Sequence, residues 1–388
     1  MTMKMQWAWK FLASLIVLEN LPSEQCKWLC SAFTGSPSTE GKYGAFSLEP
    51  RARILSSKTN PDHFDGLELE SSIIEELASF ANDLANAAGD AIMPFWRRKG
   101  VRVETKFDQG RSISQTVSPV TIADRSAEEA MRNLIEDRYP SHGIYGEEYG
   151  QIRTDADFVW VLDPIDGTKA FITGKPTWGT LIGCLHRGVP IVGVIDHCVL
   201  QERWVGSIGN PTRLNGEPVS VAETSARTLC DATLYTTTPD MFRAGEEMEK
   251  FEAVRDASLR TLYGCDCYAY ALVASGFGAD AVVEADLGLY DYAAIVPVMQ
   301  SAGGIITDWD GNALTLKNHD NSKGRVVASS NTALHDEMLR ALSSTPSTAQ
   351  PLGGQHTIEK ELSGGGIFRQ TFAFVSGVLL GIIGRFAK

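Results

Sequence analysis

The stretch VLDPIDGT, residues 161–168, places one acid at the end of a hydrophobic strand and a second acid three residues later. Pro164 has no backbone N–H to donate to a neighbouring strand, so we expect the chain to leave the sheet there. A carboxylate at the end of a buried strand costs free energy unless it is neutralised, which favours a bound cation. Gly167 lets the backbone approach a ligand, and N–H groups at a turn before a helix hold phosphate oxygens. Residues 161–168 therefore predict a sheet edge that binds a cation and a phosphate group.

Two further acidic motifs follow the same pattern. Glu147 and Glu148 come after a short strand-like run, and Asp291 lies at the head of a helix that follows a strand. A single Asp-Pro turn could serve only as a cap, but three acidic motifs at strand ends favour one shared pocket. Mg²⁺ prefers carboxylates, carbonyls and water, and the motifs contain no His or Cys, which argues against zinc. Because the Thr168 hydroxyl can orient a water molecule, the pocket predicts hydrolysis of a phosphate monoester at a metal cluster.

Helical and strand-like segments alternate along the middle of the chain, which predicts helices layered on sheets. Two long amphipathic helices are predicted at residues 71–96 and 122–138. Further strands are predicted at 158–162, 180–185, 191–195, 202–205, 281–284, 304–307 and 325–329, and further helices at 266–276, 292–302 and 332–342.

The acidic motifs resemble those of the inositol monophosphatase superfamily over about residues 67–342. The matching residues are Gly146-Glu147-Glu148, the DPIDGT run at 163–168, and Asp291 with the downstream Ala302-Gly303-Gly304. The resemblance implies an α/β fold, an αβαβα sandwich of the inositol monophosphatase and fructose-bisphosphatase type. It also implies a Mg²⁺-dependent and lithium-sensitive phosphatase that acts on a small phosphate ester.

The resemblance implies specific metal ligands. Glu147, Asp163 and the Ile165 carbonyl would hold one Mg²⁺. Asp163, Asp166 and Asp291 would hold a second, and a weaker third site would involve Glu147 and waters. Two or three metal ions are therefore expected in the site.

The resemblance also implies catalytic and phosphate-binding residues. Thr168 and Asp124 would activate the attacking water, with Glu147 as the third member of the catalytic set. The amides of Gly167 and Thr168 would hold the phosphate group beside Asp166.

Within the superfamily, the chain is most similar to the plant-type histidinol-phosphate phosphatase branch. The similarity is carried by residues 118–124 (SPVTIAD), 163–176 (DPIDGTKAFITGKP) and 263–270 (YGCDCYAY). Asp266 stands where inositol-selective relatives carry a small residue, and its carboxylate can pair with an ammonium group. Glu284 is a second candidate contact. The resemblance therefore implies a histidinol-phosphatase of histidine biosynthesis.

Alternatives to this interpretation remain open. Asp266 could instead cap the helix that begins at Cys267, and the Cys265-x-Cys267 pair is more typical of packing than of metal ligation. The substrate could be inositol phosphate or another sugar phosphate. In a different class, the chain could be a non-catalytic, membrane-tethered protein that binds metal or phosphate.

The sequence departs from the superfamily pattern at two positions. Residues 114–117 read Ser-Gln-Thr-Val where relatives usually carry a Lys-Asp-Asp-type segment, so the altered loop at 107–117 predicts weaker binding of the third metal ion. Residues 287–290 lack the lysine that this branch often carries before Tyr-Asp. The second departure bears on the substrate and not on the reaction.

Composition excludes several classes of protein. The chain has 388 residues, 43% of them hydrophobic and 21% charged, which argues against a disordered, collagenous or multi-spanning membrane protein. Its net charge of −13 argues against nucleic acid as a partner. Seven scattered cysteines are more typical of reduced thiols than of a disulfide framework.

The two ends of the chain differ from its middle. Residues 1–66 resemble a presequence, because the apolar run FLASLIVL at 11–18 precedes a Ser-rich stretch at 31–60. The CSAF sequence at 30–33 resembles the junction of bipartite plastid presequences, so a plastid location is expected, with the cytoplasm as the alternative.

The expected organisation has four parts. A catalytic unit at 67–342, with two subdomains that meet near residue 220, follows the presequence. A linker at 343–366 then leads to an apolar segment at 367–388 that could contact a membrane or a partner. The superfamily resemblance also implies a homodimer.

Overall fold

The computed structural model describes residues 69–98, 103–107, 117–222 and 225–343, with the backbone alone at 103–107 and 117–121. The predicted presequence, the altered loop from 108 to 116, and the chain from residue 344 onward lie outside the described residues. In the part of the chain that is described, no helix combines the length and the apolar character needed to cross a bilayer.

The secondary structure elements are numbered in chain order. The first half of the described chain contains α1 (Ser71–Ile92), β1 (Val103–Phe107), β2 (Val117–Thr121), α2 (Ile122–Arg138), β3 (Gly143–Gly146), β4 (Gly150–Ile152), β5 (Phe158–Asp166), α3 (Thr168–Thr173), β6 (Gly179–His186), β7 (Val189–His197), β8 (Glu202–Ser207), β9 (Asn210–Leu214) and β10 (Glu217–Pro218). The second half contains β11 (Thr233–Thr236), α4 (Glu246–Ala257), β12 (Arg260–Tyr263), α5 (Cys267–Ala274), β13 (Ala281–Glu284), α6 (Leu289–Tyr292), α7 (Ile295–Ser301), β14 (Ile305–Thr307), α8 (His319–Ser322), β15 (Val326–Ser329) and α9 (Thr332–Ser343).

Two mixed sheets organise the chain. The larger has the strand order β10-β9-β8-β7-β6-β5-β3-β4, and only β3 and β5 within it are parallel neighbours. The smaller has the order β12-β11-β13-β15-β14, in which β11 runs parallel to both β12 and β13. The chain passes from the first sheet to the second between Pro218 and Thr233.

Both faces of the larger sheet are covered, so every residue of β6 is buried. Alternate side chains of β5 to β7 point to opposite faces, as the period of two in a strand requires. Trp160, Leu162 and Ile182 pack with α1 and α2, whereas Val159, Val161 and Leu181 pack with the helices on the other face.

Five layers result from this packing. Helices α5 to α7 fill the space between the two sheets, since their apolar side chains share one core with residues of both. Helices α4 and α9 cover the outer face of the smaller sheet through Phe251, Leu334 and Met338. The αβαβα sandwich predicted from the sequence is therefore the observed architecture.

Helix α1 illustrates how the sequence determines an element. Its buried residues recur at three- and four-residue spacing from Ile74 to Ile92, so one apolar stripe faces the sheet. The α-helix ends at Ile92 and gives way to a 3₁₀ turn that contains Pro94, rather than continuing to residue 96 as predicted. Helix α2 has the predicted bounds.

Three glycines bring α7 and the residues before it directly onto the larger sheet. Gly183, Gly193 and Gly206 are paired across β6, β7 and β8. A Cβ atom at Gly193 would lie 1.9 Å from the carbonyl oxygen of Ala294, and one at Gly206 would lie 2.4 Å from the Cα of Val298. The backbone from Ala293 to Val298 thus packs directly against the backbone of Gly183, Gly193 and Gly206, which together form a glycine stripe across the sheet.

Candidate active site

Three carboxylates converge at the end of β5. One carboxylate oxygen from each of Asp163, Asp166 and Asp291 lies within 4.8 Å of the others. Asp163 pairs with Leu181 and Asp166 pairs with Gly179, and the register shifts between the two pairs. Residues three apart in a regular strand would face opposite sides, so this bulge is what turns both acids toward one site.

Backbone N–H groups hold two of these carboxylates in place. The N–H of Cys267, at the start of α5, donates to Asp166 Oδ2 at 2.6 Å. The N–H of Gly288 donates to Asp291 Oδ2 at 2.6 Å, while the buried Leu289 and Tyr292 anchor the short helix α6. The acids are thus oriented by rigid elements of both halves of the fold.

Burial and mutual repulsion oppose ionisation of the cluster. Burial, followed by the charge of Glu147, raises the pKa of Asp163 well above its ordinary value. Burial, followed by the charge of Asp166, does the same for Asp291. The pKa of Asp166 is raised to about 8 by burial and then by Asp266. Carboxylates in such surroundings ionise together only when a cation neutralises them.

The cluster fits a hard divalent cation. Asp163 Oδ1 is buried and has no hydrogen-bond partner among the described residues, so it retains lone pairs for a metal ion. The donors are all oxygens, which are the ligands that Mg²⁺ prefers.

Glu147 and Asp124 lie close enough to act on these acids electrostatically. Glu147 follows β3, and its N–H donates to the carbonyl of Leu162 at 3.2 Å, next to Asp163. Its charge raises the pKa of both Asp163 and Asp291. Asp124 is buried in the first turn of α2 and also raises the pKa of Asp163. All five predicted acids therefore surround one site.

The turn after β5 has the features expected of a phosphate cradle. Gly167 has a φ of 81°, in the left-handed region that favours glycine, and it precedes α3. The Thr168 hydroxyl donates to the carbonyl of Ile165 at 3.1 Å. Because its hydrogen is used in this bond, the Thr168 oxygen is left with lone pairs to accept a hydrogen from water.

Asp266 lies over this turn. A Cβ atom at Gly167 would be 2.7 Å from Asp266 Oδ2, so only glycine permits the approach. Asp266 precedes α5, yet its side chain makes no capping hydrogen bond within the described part of the chain. Burial raises the pKa of Asp266 to about 6, while Lys175 and Lys169 oppose the shift.

Glu284 is bonded within the protein. One of its oxygens accepts the N–H of Thr237 at 3.0 Å, and the other accepts the hydroxyl of Tyr270 at 2.8 Å. Burial raises its pKa to about 7. Glu284 thus lies near Asp266 and Asp166, and both of its carboxylate oxygens already accept hydrogen bonds from within the protein.

Sequence reasoning missed the two lysines and a buried glutamate, Glu128. Lys175 reaches the loop before Asp266, because its Nζ would lie 2.6 Å from a Cβ at Gly264. The available signal was the position of both lysines in the run after Thr168. The signal for Glu128 was its spacing of four residues from Asp124 on α2, a spacing that places two side chains on one helix face.

Comparison with known proteins shows that this α/β fold belongs to a family of phosphatases. A sequence model of the inositol monophosphatase family matches residues 73–347. The chain belongs to the inositol monophosphatase family, whose members are generally Mg²⁺-dependent. The family assignment made from the sequence is therefore confirmed.

Individual relatives agree with this assignment. The chain is 45% identical over 335 residues to the chloroplastic bifunctional phosphatase IMPL2 of Arabidopsis thaliana, covering 85% of this chain and 91% of that one. It is 32% identical over 265 residues to a histidinol-phosphatase of Chlorobaculum parvum, covering 68% and 95%. Among solved structures, an inositol monophosphatase from Zymomonas mobilis superimposes with a TM-score of 0.60 at 40% identity, covering 70% and 98%.

Proposed function

We propose that the protein hydrolyses L-histidinol phosphate to L-histidinol and phosphate in histidine biosynthesis. One observation carries the choice of substrate: the carboxylate of Asp266 lies against the phosphate turn at Gly167 without serving as a helix cap. With a pKa of about 6, Asp266 is mostly ionised at neutral pH and can pair with the ammonium group of the substrate. The similarity to the histidinol-phosphatase of Chlorobaculum parvum also supports this substrate.

We assign the binding of Mg²⁺ to oxygens at the end of β5 and on its neighbours. The ligands would be the carboxylates of Glu147, Asp163, Asp166 and Asp291 with the carbonyl of Ile165. Bound Mg²⁺ supplies positive charge that neutralises these acids, polarises the phosphoryl group and lowers the pKa of a bound water.

The remaining residues orient the reactants. The N–H groups of Gly167 and Thr168 would hold the phosphate oxygens beside Asp166. The Thr168 hydroxyl, whose hydrogen is given to the Ile165 carbonyl, would accept a hydrogen bond from the attacking water. Asp124 would receive the proton of that water, and Glu147 would help to orient the water, since both carboxylates act on Asp163 from within the site.

A second candidate is the hydrolysis of inositol phosphate or of another phosphate ester whose sugar moiety carries no charge. It is favoured by Lys169 and Lys175, whose positive charges act on Asp266 and would oppose a cationic substrate. It is also consistent with the likeness to the Zymomonas mobilis inositol monophosphatase.

A phosphate-release panel separates these candidates. The full chain is assayed with histidinol phosphate, inositol phosphates, fructose bisphosphate and adenosine bisphosphate, in Mg²⁺, with and without lithium. We expect the highest kcat/KM for histidinol phosphate. Preference for inositol phosphate would favour the second candidate, and no release from any ester would favour a non-catalytic binding protein.

The variant Asp266→Asn tests the residue that carries the proposal. A charge-assisted hydrogen bond contributes about 1.5–3 kcal/mol, so kcat/KM for histidinol phosphate should fall about tenfold or more. Activity on inositol phosphate should change less than about twofold. Asp256→Asn, an equal charge change on the exposed surface of α4, is the matched control. Equal losses on both substrates would overturn the role of Asp266.

We further propose that the protein works in the plastid as a homodimer. The chloroplastic Arabidopsis thaliana relative and the presequence-like composition of residues 1–66 support the location. Imaging of a fluorescent fusion to the complete chain tests the location against the cytoplasm and against membranes, and light scattering of the purified protein tests the dimer.

A further inference from the structure

A buried carboxylate outside the acid cluster holds the turn that carries Glu147. Glu128 on α2 is fully buried. Its Oε2 accepts the N–H of Glu148 at 2.7 Å, and its Oε1 accepts the N–H of Tyr149 at 3.1 Å. Both donors belong to the connection between β3 and β4. One side chain thus binds two successive backbone groups directly after Glu147.

Arg132 extends this attachment by one more residue. Its Nε donates to Glu128 Oε1 at 2.7 Å, and its Nη2 donates to the carbonyl of Gly150. Isolated buried charges are costly, but here the carboxylate is paired with a guanidinium and receives three hydrogen bonds. The pair therefore holds both the N–H groups and the carbonyl of the same turn.

Glycine at position 146 permits this close approach. A Cβ atom at Gly146 would lie 1.9 Å from Glu128 Oε1 and 2.6 Å from Arg132 Nη2. The backbone immediately before Glu147 therefore lies directly against the ion pair.

The same helix presents a second acid to the site. Asp124 lies one turn before Glu128, and Arg132 lies one turn after it, so the three side chains share one face of α2. A rigid helix that carries Asp124 and binds residues 148–150 fixes the distance between Asp124 and Glu147.

We propose that Glu128, supported by Arg132, is a positioning residue that sets Mg²⁺ affinity by holding Glu147 in register with Asp124. The proposal rests on the assignment of Glu147 to the metal site under the proposed function. Glu128 itself lies behind the turn and acts only through the backbone of Glu148 and Tyr149.

The variant Glu128→Gln tests the proposal with little change in volume. Its amide NH₂ would face an N–H donor at one of the two oxygen positions, so the turn loses at least one hydrogen bond. Residues that orient metal ligands typically contribute 10–100-fold to metal affinity. We therefore expect the Mg²⁺ dissociation constant, measured by calorimetry without substrate, to rise about tenfold or more.

Enzyme kinetics give the second readout. The Mg²⁺ concentration for half-maximal activity should rise by the same factor, while kcat at saturating Mg²⁺ should stay within about threefold of the unmodified protein. Glu129→Gln, the same change at the exposed next residue of α2, should leave both quantities unaltered. Arg132→Lys, which keeps the charge but loses the planar fork, should weaken Mg²⁺ binding in the same direction.

Two results would overturn the proposal. One is an unchanged Mg²⁺ dissociation constant in both Glu128→Gln and Arg132→Lys. The other is an equal weakening in Glu129→Gln. If Glu128→Gln does not fold, Arg132→Lys decides alone. Failure of the proposed substrate would be visible separately, because the calorimetric measurement uses Mg²⁺ and no phosphate ester.

Discussion

Raising the pH of the metal-free protein should lower its free energy of unfolding, because the acid cluster binds protons more tightly in the folded chain than in the unfolded one. Burial and then Asp266 raise the pKa of Asp166 from 3.8 to about 8. The pKa values of Asp163 and Asp291 are raised in the same direction. Such a carboxyl group adds no cost to folding below pH 3.8, and its cost grows as the pH rises until it is complete above pH 8.

The magnitude follows from the pKa of Asp166. Each pH unit over which the folded chain retains one extra proton costs about 1.4 kcal/mol. Between about pH 6.5 and 8.5, loss of the Asp166 proton should therefore lower the free energy of unfolding by about 2 kcal/mol. Burial lowers the pKa values of His197 and His335 to about 4. The free energy of unfolding therefore increases with pH up to about 6.5 because of these histidines, and it is constant with respect to them above that pH. The chosen pH range begins at that point.

Urea unfolding of the full chain measures this free energy at both ends of the pH range, first with a chelator and then with saturating Mg²⁺. A cation that binds only the folded chain stabilises it and favours the ionised acids. In Mg²⁺ the dependence on pH that arises from Asp163, Asp166 and Asp291 should therefore be lost, and Mg²⁺ should stabilise the protein more at the higher pH than at the lower one.

Two variants assign the effect to the cluster. Asp166→Asn removes one titrating group, so the pH dependence of the metal-free protein should decrease by about 2 kcal/mol over this range, while Asp163, Asp291 and Glu284 retain the remainder. Asp256→Asn, on the exposed surface of α4, should keep the full pH dependence. A metal-free protein that is as stable at about pH 8.5 as at about pH 6.5 would refute the reasoning.

Two glycine substitutions test the geometry of the site and of its support. Gly167→Ala forces a side chain into a φ of 81° and brings its Cβ to 2.7 Å from Asp266 Oδ2; kcat/KM should fall about tenfold or more while the protein still folds, and unchanged kinetics would contradict the cradle. Gly193→Ala places a Cβ 1.9 Å from the Ala294 carbonyl; thermal unfolding should show a loss of about 3 kcal/mol or more, and a loss below about 1 kcal/mol would mean that the chain just before α7 does not rest on this strand.

Much of the acid cluster was predictable because its members follow strands. The pattern of an apolar run, an acid and a proline was enough to place Asp163 and Asp166 near the end of a strand. The prediction that the chain leaves the sheet at Pro164 was wrong, because β5 continues past the proline through a bulge to Asp166, which pairs with Gly179. The bulge that turns both toward one site was not predictable, because strand register depends on the partner strand. The electrostatic cost was also hidden, since the pKa shifts arise from burial that only the assembled fold creates.

Helix bounds show a similar division. The bounds predicted for α2 are the observed ones. The helix predicted at 292–302 is the shorter α7 (Ile295–Ser301), and Ala293 and Ala294 separate it from α6, which ends at Tyr292. Those two residues are buried against Gly183 and Gly193, and these contacts could not be predicted from the local sequence. Glu128 was missed for a related reason. A glutamate on an amphipathic helix is usually exposed to solvent, and the sequence around Glu128 does not show that the turn at Glu148 and Tyr149 packs against it.

The glycine stripe across β6, β7 and β8 has a consequence for how this enzyme can vary. The segment that rests on it continues from α6, whose Asp291 enters the acid cluster only a few residues earlier. The position of Asp291 thus depends on the glycines of the sheet as well as on its neighbours Gly288, Leu289 and Tyr292. A methyl group added to any of these glycines would therefore displace Asp291 within the acid cluster without touching it. Gly183, Gly193 and Gly206 must therefore remain glycine for the acid cluster to keep its geometry.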